Sequence, residues 1–285
     1  MVFQMRKYYI FFLVLLILLS CNEASSDNSG RNTLDPNVTP VTIGNWYRPA
    51  VNVTWQWQLS GTVDTSHDVE IFDIDLFDSS TALIGQLKSD GHKVICYFSA
   101  GSFENWRSDA DDFPSAVNGN ELDGWESEKW LDIRAPSVHD IMKTRLDLAV
   151  DKGCDGVEPD NMDGYINNSG FSLTGTDQLA YNRFISNEAH NRDLSVGLKN
   201  DLDQIEQLVD YYDFSVNEQC HEYDECDTLT AFIENDKPVL NAEYKDEYVN
   251  DTAARTAMCA ATDILQFRTL VLPLDLDDSF RHPCF

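Results

Sequence analysis

The sequence predicts an α/β fold: a (β/α)8 TIM barrel with a loop insertion over its C-terminal face. Three observations lead there. Short apolar, strand-like runs alternate with helix-period segments to a count of eight. Acidic, amide and aromatic residues gather at the C-terminal ends of those runs, where barrels of this kind carry their working loops. One long stretch, Gly101 to Pro136 with Trp106, Trp125 and Trp130, interrupts the alternation and shows no obvious strand of its own. A chain of 285 residues can bury a sizeable core, as one large barrel or as two small domains.

Taken in order, residues 1–21 are expected to be a signal segment. Arg6 and Lys7 precede the apolar run Tyr8 to Leu19, which is short for a bilayer span and suited to a signal-peptide core. It ends Leu18-Leu19-Ser20-Cys21, which resembles the lipobox of bacterial lipoproteins; Cys21 would carry the lipid. A simple secretory signal cut nearby is the alternative. Residues 22–45, rich in Ser, Asn, Asp and Pro, are expected as a flexible tether, and 46–285 as the barrel domain. The product would be an exported monomer, secreted or lipid-anchored to the cell envelope and meeting the membrane only through that anchor.

The strand-like runs are Thr54 to Leu59, Ile71 to Asp75, Lys93 to Ser99, Gly156 to Asp160, Ser195 to Asn200, Phe214 to Asn217, Val239 to Tyr244 and Phe267 to Val271. Helical patterns lie between several of them. Thr81 to Asp90 puts Leu83, Ile84 and Leu87 on one face and stops at Gly91. Val138 to Lys152 does the same with Ile141, Met142, Leu146 and Ala149. Thr176 to Arg192 follows suit with Leu179, Phe184, Ile185 and Ala189.

The fourth run is the centre of the pattern. Glu158 and Asp160 stand two apart and so point to one side, while Pro159 between them marks the end of a strand. Asn161, Asp163 and Tyr165 follow. A charged turn is the plainer interpretation of such a segment. The other strand ends supply Trp55 and Trp57, Asp73 and Asp75, Tyr97 with Arg107 beyond it, Lys199 and Asp201, Asn217 and Glu218, and Glu243 and Tyr244. Several carboxylates with tryptophans nearby suit a sugar site, because acids work at the anomeric centre and aromatic faces cover sugar rings. Each tryptophan taken singly reads more readily as core than as a sugar platform. Asp73-Ile-Asp75-Leu-Phe-Asp78 lacks the glycine and terminal glutamate of a calcium loop.

Charge and cysteines narrow the choice further. There are 49 acidic against 20 basic residues, a formal net charge of -29. This argues against nucleic acid or an anionic bilayer as partner and favours a neutral or cationic substrate, with a solvated acidic surface as the competing explanation. With Cys21 set aside, six of the seven cysteines remain, and in an exported chain they imply disulfides, although six allow fifteen pairings. Cys220–Cys226 would close a short loop, Cys259–Cys284 would staple the tail to a helix, and Cys96–Cys154 would join the third strand to the start of the fourth. There is no C-x-x-C pair and the histidines are scattered, so neither a metal nor another cofactor is expected.

Five blocks carry a specific resemblance: Trp55-Gln-Trp-Gln-Leu-Ser-Gly61, Val94-Ile-Cys-Tyr-Phe-Ser-Ala-Gly-Ser102, Cys154-Asp-Gly-Val-Glu-Pro-Asp-Asn161, Val196-Gly-Leu-Lys-Asn-Asp201 and Val216-Asn-Glu-Gln-Cys220. They resemble glycoside hydrolase family 114, the endo-α-1,4-polygalactosaminidases. The resemblance implies a TIM-barrel retaining hydrolase of α-1,4-linked galactosamine-containing polymers, with Asp160 as nucleophile and Glu218 as acid/base. Asp73, Asp75, Glu158, Asp201 and Glu243 are then candidates for binding hydroxyls and the sugar ammonium. Two other functions remain open on the sequence: a lipoprotein that binds the polymer without cutting it, and a deacetylase or metal hydrolase acting on it.

Overall fold

The computed structural model describes residues 34–285; the expected signal segment, Cys21 and the first part of the tether lie outside the described residues. All eight strand-like runs form strands, and they pair in parallel in chain order. These are β1 (Trp55–Gln58), β2 (Ile71–Asp75), β3 (Lys93–Ser99), β7 (Gly156–Asp160), β8 (Ser195–Lys199), β9 (Phe214–Glu218), β10 (Val239–Glu243) and β11 (Arg268–Val271). A short antiparallel strand, β12 (His282–Pro283), adds to β11, giving a curled, mostly parallel sheet of nine strands. Its ends approach each other through side chains: Trp55 Nε1 donates to the Arg268 carbonyl at 2.7 Å, and Arg281 donates to the Trp55 carbonyl at 2.7 Å.

The insertion differs from expectation. It contains three antiparallel strands, β4 (Ser102–Glu104), β5 (Asn118–Leu122) and β6 (Trp125–Leu131), with β6 in the middle. Their short length and polar composition hide them from an alternation test. Gly101 is needed where this sheet leaves β3, since a Cβ there would meet the Asn161 carbonyl oxygen at 1.7 Å. Backbone thus passes directly over backbone beside the end of β7.

The main helices follow the sequence closely: α1 (Thr81–Ser89), α2 (Pro136–Lys152) and α3 (Gly175–His190), then four short ones, α4 (Ile205–Leu208), α5 (Cys220–Tyr223), α6 (Thr230–Glu234) and α7 (Asp246–Asn250), and α8 (Thr252–Leu265). Ser80 caps α1, Thr174 and Asp177 form a capping box on α3, and Gly153 ends α2 in the left-handed region at φ 87°. Apolar residues on the outer face of the sheet, among them Phe72, Val94, Cys96 and Val157, pack under the helices. Alternate residues turn inward, where Trp55, Trp57, Ile71, Ile95, Phe214, Val216, Leu240 and Leu270 make a second, separate core. Hydrophobic filling at the bottom leaves the inward polar residues of β2, β3, β7, β8 and β9 stacked toward the C-terminal end.

Residues 34–45, expected as the end of a tether, do not hang free. Val41 N donates to Asn187 Oδ1 at 2.8 Å and Asn45 N donates to Asp193 Oδ1 at 2.9 Å, which ties this segment to α3 and its C-terminal turn. Three disulfides close the fold: Cys96–Cys154, Cys220–Cys226 and Cys259–Cys284. The pairing chosen from strand order and spacing is the one formed.

Candidate active site

β7, β8 and β9 end side by side, and each runs straight into a residue with positive φ: Asn161 at 59°, Asn200 at 48° and Gln219 at 62°. Asn tolerates this conformation and Gln does so less readily, so the chain accepts local strain to turn sharply here. The turns leave Asp160 and Glu218 as the last inward residues of their strands, with Lys199 between them on β8.

Lys199 organises the group. Its Nζ lies 3.0 Å from Asp160 Oδ1, 3.1 Å from Glu218 Oε2 and 3.7 Å from Glu158 Oε1. Burial by itself would lower the lysine pKa, but Asp160, Glu218 and Glu158 together hold it well above the ordinary range. The ammonium also lies over the Trp57 ring, 5.1 Å from its centroid. Each carboxylate has a phenol of its own. Tyr97 donates to Asp160 Oδ2 at 3.0 Å, and Tyr244 donates to Glu218 Oε1 at 2.7 Å. Burial, then the adjacent carboxylate, pushes both phenols upward, so they remain donors. Asn200 completes the surroundings of Glu218, its Nδ2 reaching Oε2 at 3.4 Å and its Oδ1 accepting from Glu218 N.

The other sequence candidates divide into three groups. Asp73 and Glu158 face the same interior but have no exposed surface, so a ligand at the mouth does not touch them. Trp55 and Trp57 are likewise enclosed; they stack on each other at 5.8 Å and floor the site rather than presenting a face to a sugar. Asp75 and Arg107, both expected at the substrate, bind one another at 2.7 Å, and Glu104 takes the same guanidinium from the other side. Asn161 turns its amide away from the mouth, toward Ser99 Oγ at 2.8 Å.

Glu243 and Asn217, both expected at the sugar site, stand on the outer face of the sheet instead. On β10, Leu240 and Ala242 face inward, so Asn241 and Glu243 face outward. There Glu243 Oε1 accepts from His221 N at 2.8 Å and Asn241 Nδ2 at 3.1 Å, and serves the loop after β9 instead of the cleft. Burial pushes its pKa up to about 7. Asn217, next to inward Glu218, is on the outer face and donates to Asn200 Oδ1 at 3.3 Å.

One acid escaped notice altogether. Glu128 of β6 accepts from Ser102 Oγ and from Asn161 Nδ2, the latter at 3.3 Å, and so joins the inserted sheet to the residue after Asp160. Burial, opposed by the Ser102 hydrogen bond and reinforced by Glu104 and Asp160, pushes it up to about 7. The only signal was that Glu126, Glu128 and Trp130 alternate, which the surrounding charge obscured.

A cavity of about 340 Å³ opens beside Glu218, lined by Asp163, Asn200, Asp201, Asp203, Tyr223 and Glu225 among others. Asp201 is held by Asn182 at 2.8 Å, and burial with the nearby Asp163 carboxylate pushes it up to about 8. Tyr165 stands beside it. Asp163 is raised to about 6 by burial and then by Asp160. Among the described residues, Asp64, His67 and Asp278 could approach a metal ion, but they lie outside β1, where Asp278 already takes His67 at 2.9 Å and Gln56 at 2.9 Å. Cys220 and Cys226, grouped with His221, are consumed by their disulfide.

Residues 37–284 match the model of glycoside-hydrolase family GH114. The chain belongs to that family. It is therefore a glycoside hydrolase, and such chemistry commonly works through a pair of carboxylates. The chain is similar to Ega3 of Aspergillus fumigatus, solved in complex with galactosamine, at 44% identity and a TM-score of 0.81, covering 87% of this chain and 100% of that one. The glycoside hydrolase domain of PelA from Pseudomonas aeruginosa superposes with a TM-score of 0.62 at 15% identity, over 80% of this chain and 96% of that one. Amy13B of Eubacterium rectale superposes with a TM-score of 0.52 at 11% identity, over 76% and 64%. The last two likenesses concern the fold alone. No curated protein sequence matches the chain.

Proposed function

We propose that this GH114 member is a retaining endo-hydrolase of α-1,4-linked, galactosamine-containing polysaccharide, exported and held at the cell envelope by a lipid on Cys21 or released. The curled sheet is taken to close as a (β/α)8 barrel. The observation that carries the catalytic reading is the shared ammonium. Asp160 Oδ1 and Glu218 Oε2 both lie within about 3 Å of Lys199 Nζ, so these oxygens are no more than about 6 Å apart; retention needs carboxyls about 5–5.5 Å apart and inversion about 6.5–9.5 Å.

In this mechanism Asp160 attacks the anomeric carbon while Glu218 gives a proton to the departing glycosidic oxygen. The bond from carbon to that oxygen breaks as the bond to Asp160 forms. Glu218, now a carboxylate, takes a proton from water, and the resulting hydroxide displaces Asp160 from carbon with the configuration restored. Lys199 and Tyr97 steady the charge on Asp160 in the free site. Tyr244 and Asn200 aim Glu218. The acids around the cavity support a cationic substrate: Asp163 and Asp201 have pKa values raised chiefly by burial and then by neighbouring carboxylates, and an ammonium entering would offset the second of these. The galactosamine in the Ega3 complex supports the same sugar.

The test is reducing-end release by the mature chain on acetylated and deacetylated α-1,4-galactosamine oligomers, at low and high ionic strength. The expected result is faster cleavage of the deacetylated chain, weakening as salt screens the attraction. Asp160→Asn and Glu218→Gln should each abolish release with the fold intact. Binding without release by the wild type would leave only a polysaccharide-binding role. Faster cleavage of the acetylated chain, indifferent to salt, would reduce the acidity to a solvated surface.

A further inference from the structure

Below the catalytic pair, the inward side chains of Asp73 on β2 and Glu158 on β7 meet across the interior, with β3 between their strands. Neither exposes any surface. Among the described residues, none of their four carboxyl oxygens receives a hydrogen bond from an N–H or hydroxyl donor. Among the described residues Lys199 is the one cation close to them, 3.7 Å from Glu158 Oε1, and it stands nearer to Asp160 and Glu218. Two ionised carboxylates so placed would repel each other in a medium that cannot screen them. A single proton removes the conflict, because an O–H on one acid becomes the donor the other lacks. The two side chains are within hydrogen-bonding reach of each other.

We propose that Asp73 and Glu158 share one proton, carried on Glu158 and donated to Asp73, and that this pair positions Lys199 against Asp160 and Glu218. The proposal rests on the assignment of Asp160 and Glu218 given above. Its logic is a competition for one ammonium. A charged Glu158 would draw Nζ inward from its present 3.7 Å and strip Asp160 and Glu218 of their shared donor. A neutral Glu158 leaves the catalytic carboxylates as the ammonium's nearest partners. The groups facing the pair are Lys199 from β8, Asp160 from the end of β7, Tyr97 from β3 and Tyr244 beyond β10. Burial raises Glu158 well above the carboxylate range, and Asp73 raises it further; Asp73 itself is pushed up to about 7, again chiefly by burial. Glu158 is thus a positioning residue, and its enclosure explains why it does not bind sugar.

Two amide variants test the assignment, because they are not equivalent. In Glu158→Gln the side-chain amide donates to Asp73 just as the O–H does, so kcat should stay within about threefold of wild type. In Asp73→Asn the amide donates to Glu158 instead and stabilises its charge, so kcat should fall by about tenfold or more with KM less affected. The infrared spectrum of the intact protein at neutral pH supplies a readout independent of activity. The wild-type-minus-Glu158→Gln difference spectrum should contain the carbonyl band of one buried protonated carboxyl, over and above those of the other raised acids such as Asp201, Glu128 and Glu243, and the same band should remain in Asp160→Asn. Equal impairment of both amide variants, no impairment of either, or absence of the band would overturn the proposal. Inactivity of the wild type on every oligomer would instead overturn the hydrolase reading, while the infrared result would still stand or fall separately.

Discussion

Tyr244 donates a 2.7 Å hydrogen bond to Oε1 of Glu218. The two residues come from neighbouring strands: Glu218 is the last residue of β9, and Tyr244 is the first beyond β10, continuing the inward series of Leu240 and Ala242. The phenol therefore has a fixed direction before any substrate arrives. Tyr244→Phe removes the donor and little volume. We expect kcat to fall by about tenfold or more with KM changed less, since positioned proton transfer is worth about 10²–10⁴ and one orienting bond is a part of that. Steady-state kinetics on one defined oligomer checks it; an unchanged kcat would mean that Lys199 and Asn200 suffice to aim Glu218.

The extent to which the sequence foretold this site follows from what alternation can and cannot resolve. Asp160, Glu218, Lys199, Tyr97 and Tyr244 stand at strand ends in short apolar runs, and the structure brings all five together. Glu243 and Asn217 also stand at strand ends, but position along a strand does not fix the face: Asn217 and Glu218 are consecutive and face opposite sides of the sheet. Asp75 and Arg107 stand at the expected end of the sheet but satisfy each other, a pairing between residues 32 apart that no local pattern encodes. Glu128 was invisible because its strand belongs to an insertion with no apolar period. The disulfides were legible because each joins elements that the fold class already makes neighbours.

The ion pair of Asp75 and Arg107 should be a stability element. Both side chains are almost fully enclosed, and Glu104 shares the guanidinium at 2.7 Å. Arg107→Met leaves buried Asp75 without its cation and Glu104 with only the more distant Arg145, at 3.9 Å. We expect a loss of about 3–5 kcal/mol in urea unfolding, the usual cost of removing one partner of a buried pair. A loss below about 1 kcal/mol would place the pair with surface bridges.

The three disulfides should not contribute equally. Cys96–Cys154 spans 58 residues, Cys259–Cys284 spans 25 and Cys220–Cys226 spans 6. Loop-closure entropy ranks their stabilisation at about 4, 3.5 and 2 kcal/mol. Double Cys→Ala variants, melted side by side, should follow that order. The small loop carries Tyr223 at the cavity, so its removal should affect KM more than the melting temperature.

Stability should decline as the pH rises from mildly acidic values. Glu243 is raised from an ordinary value of 4.5 to about 7, chiefly by burial. The folded state thus binds a proton that the unfolded state releases, and the stability this supplies is complete below about 4.5 and lost as pH climbs through about 7. Glu243→Gln keeps the shape and removes the titration. Its unfolding free energy should be flatter between pH 5 and 8 than that of the wild type, the difference amounting to about 1–3 kcal/mol. Identical slopes would show that Glu243 does not titrate in this window.

The proximity of Asp160 and Glu218 on one ammonium is best tested by the configuration of the first product. Proton NMR during cleavage of an α-1,4-galactosamine oligomer by the wild-type enzyme, recorded faster than mutarotation, resolves the anomeric signal of the new reducing end. The account predicts that the α anomer accumulates first and the β anomer appears only as the sugar equilibrates. Initial accumulation of the β anomer would mean direct attack by water, and would contradict the assignment of Asp160 as nucleophile.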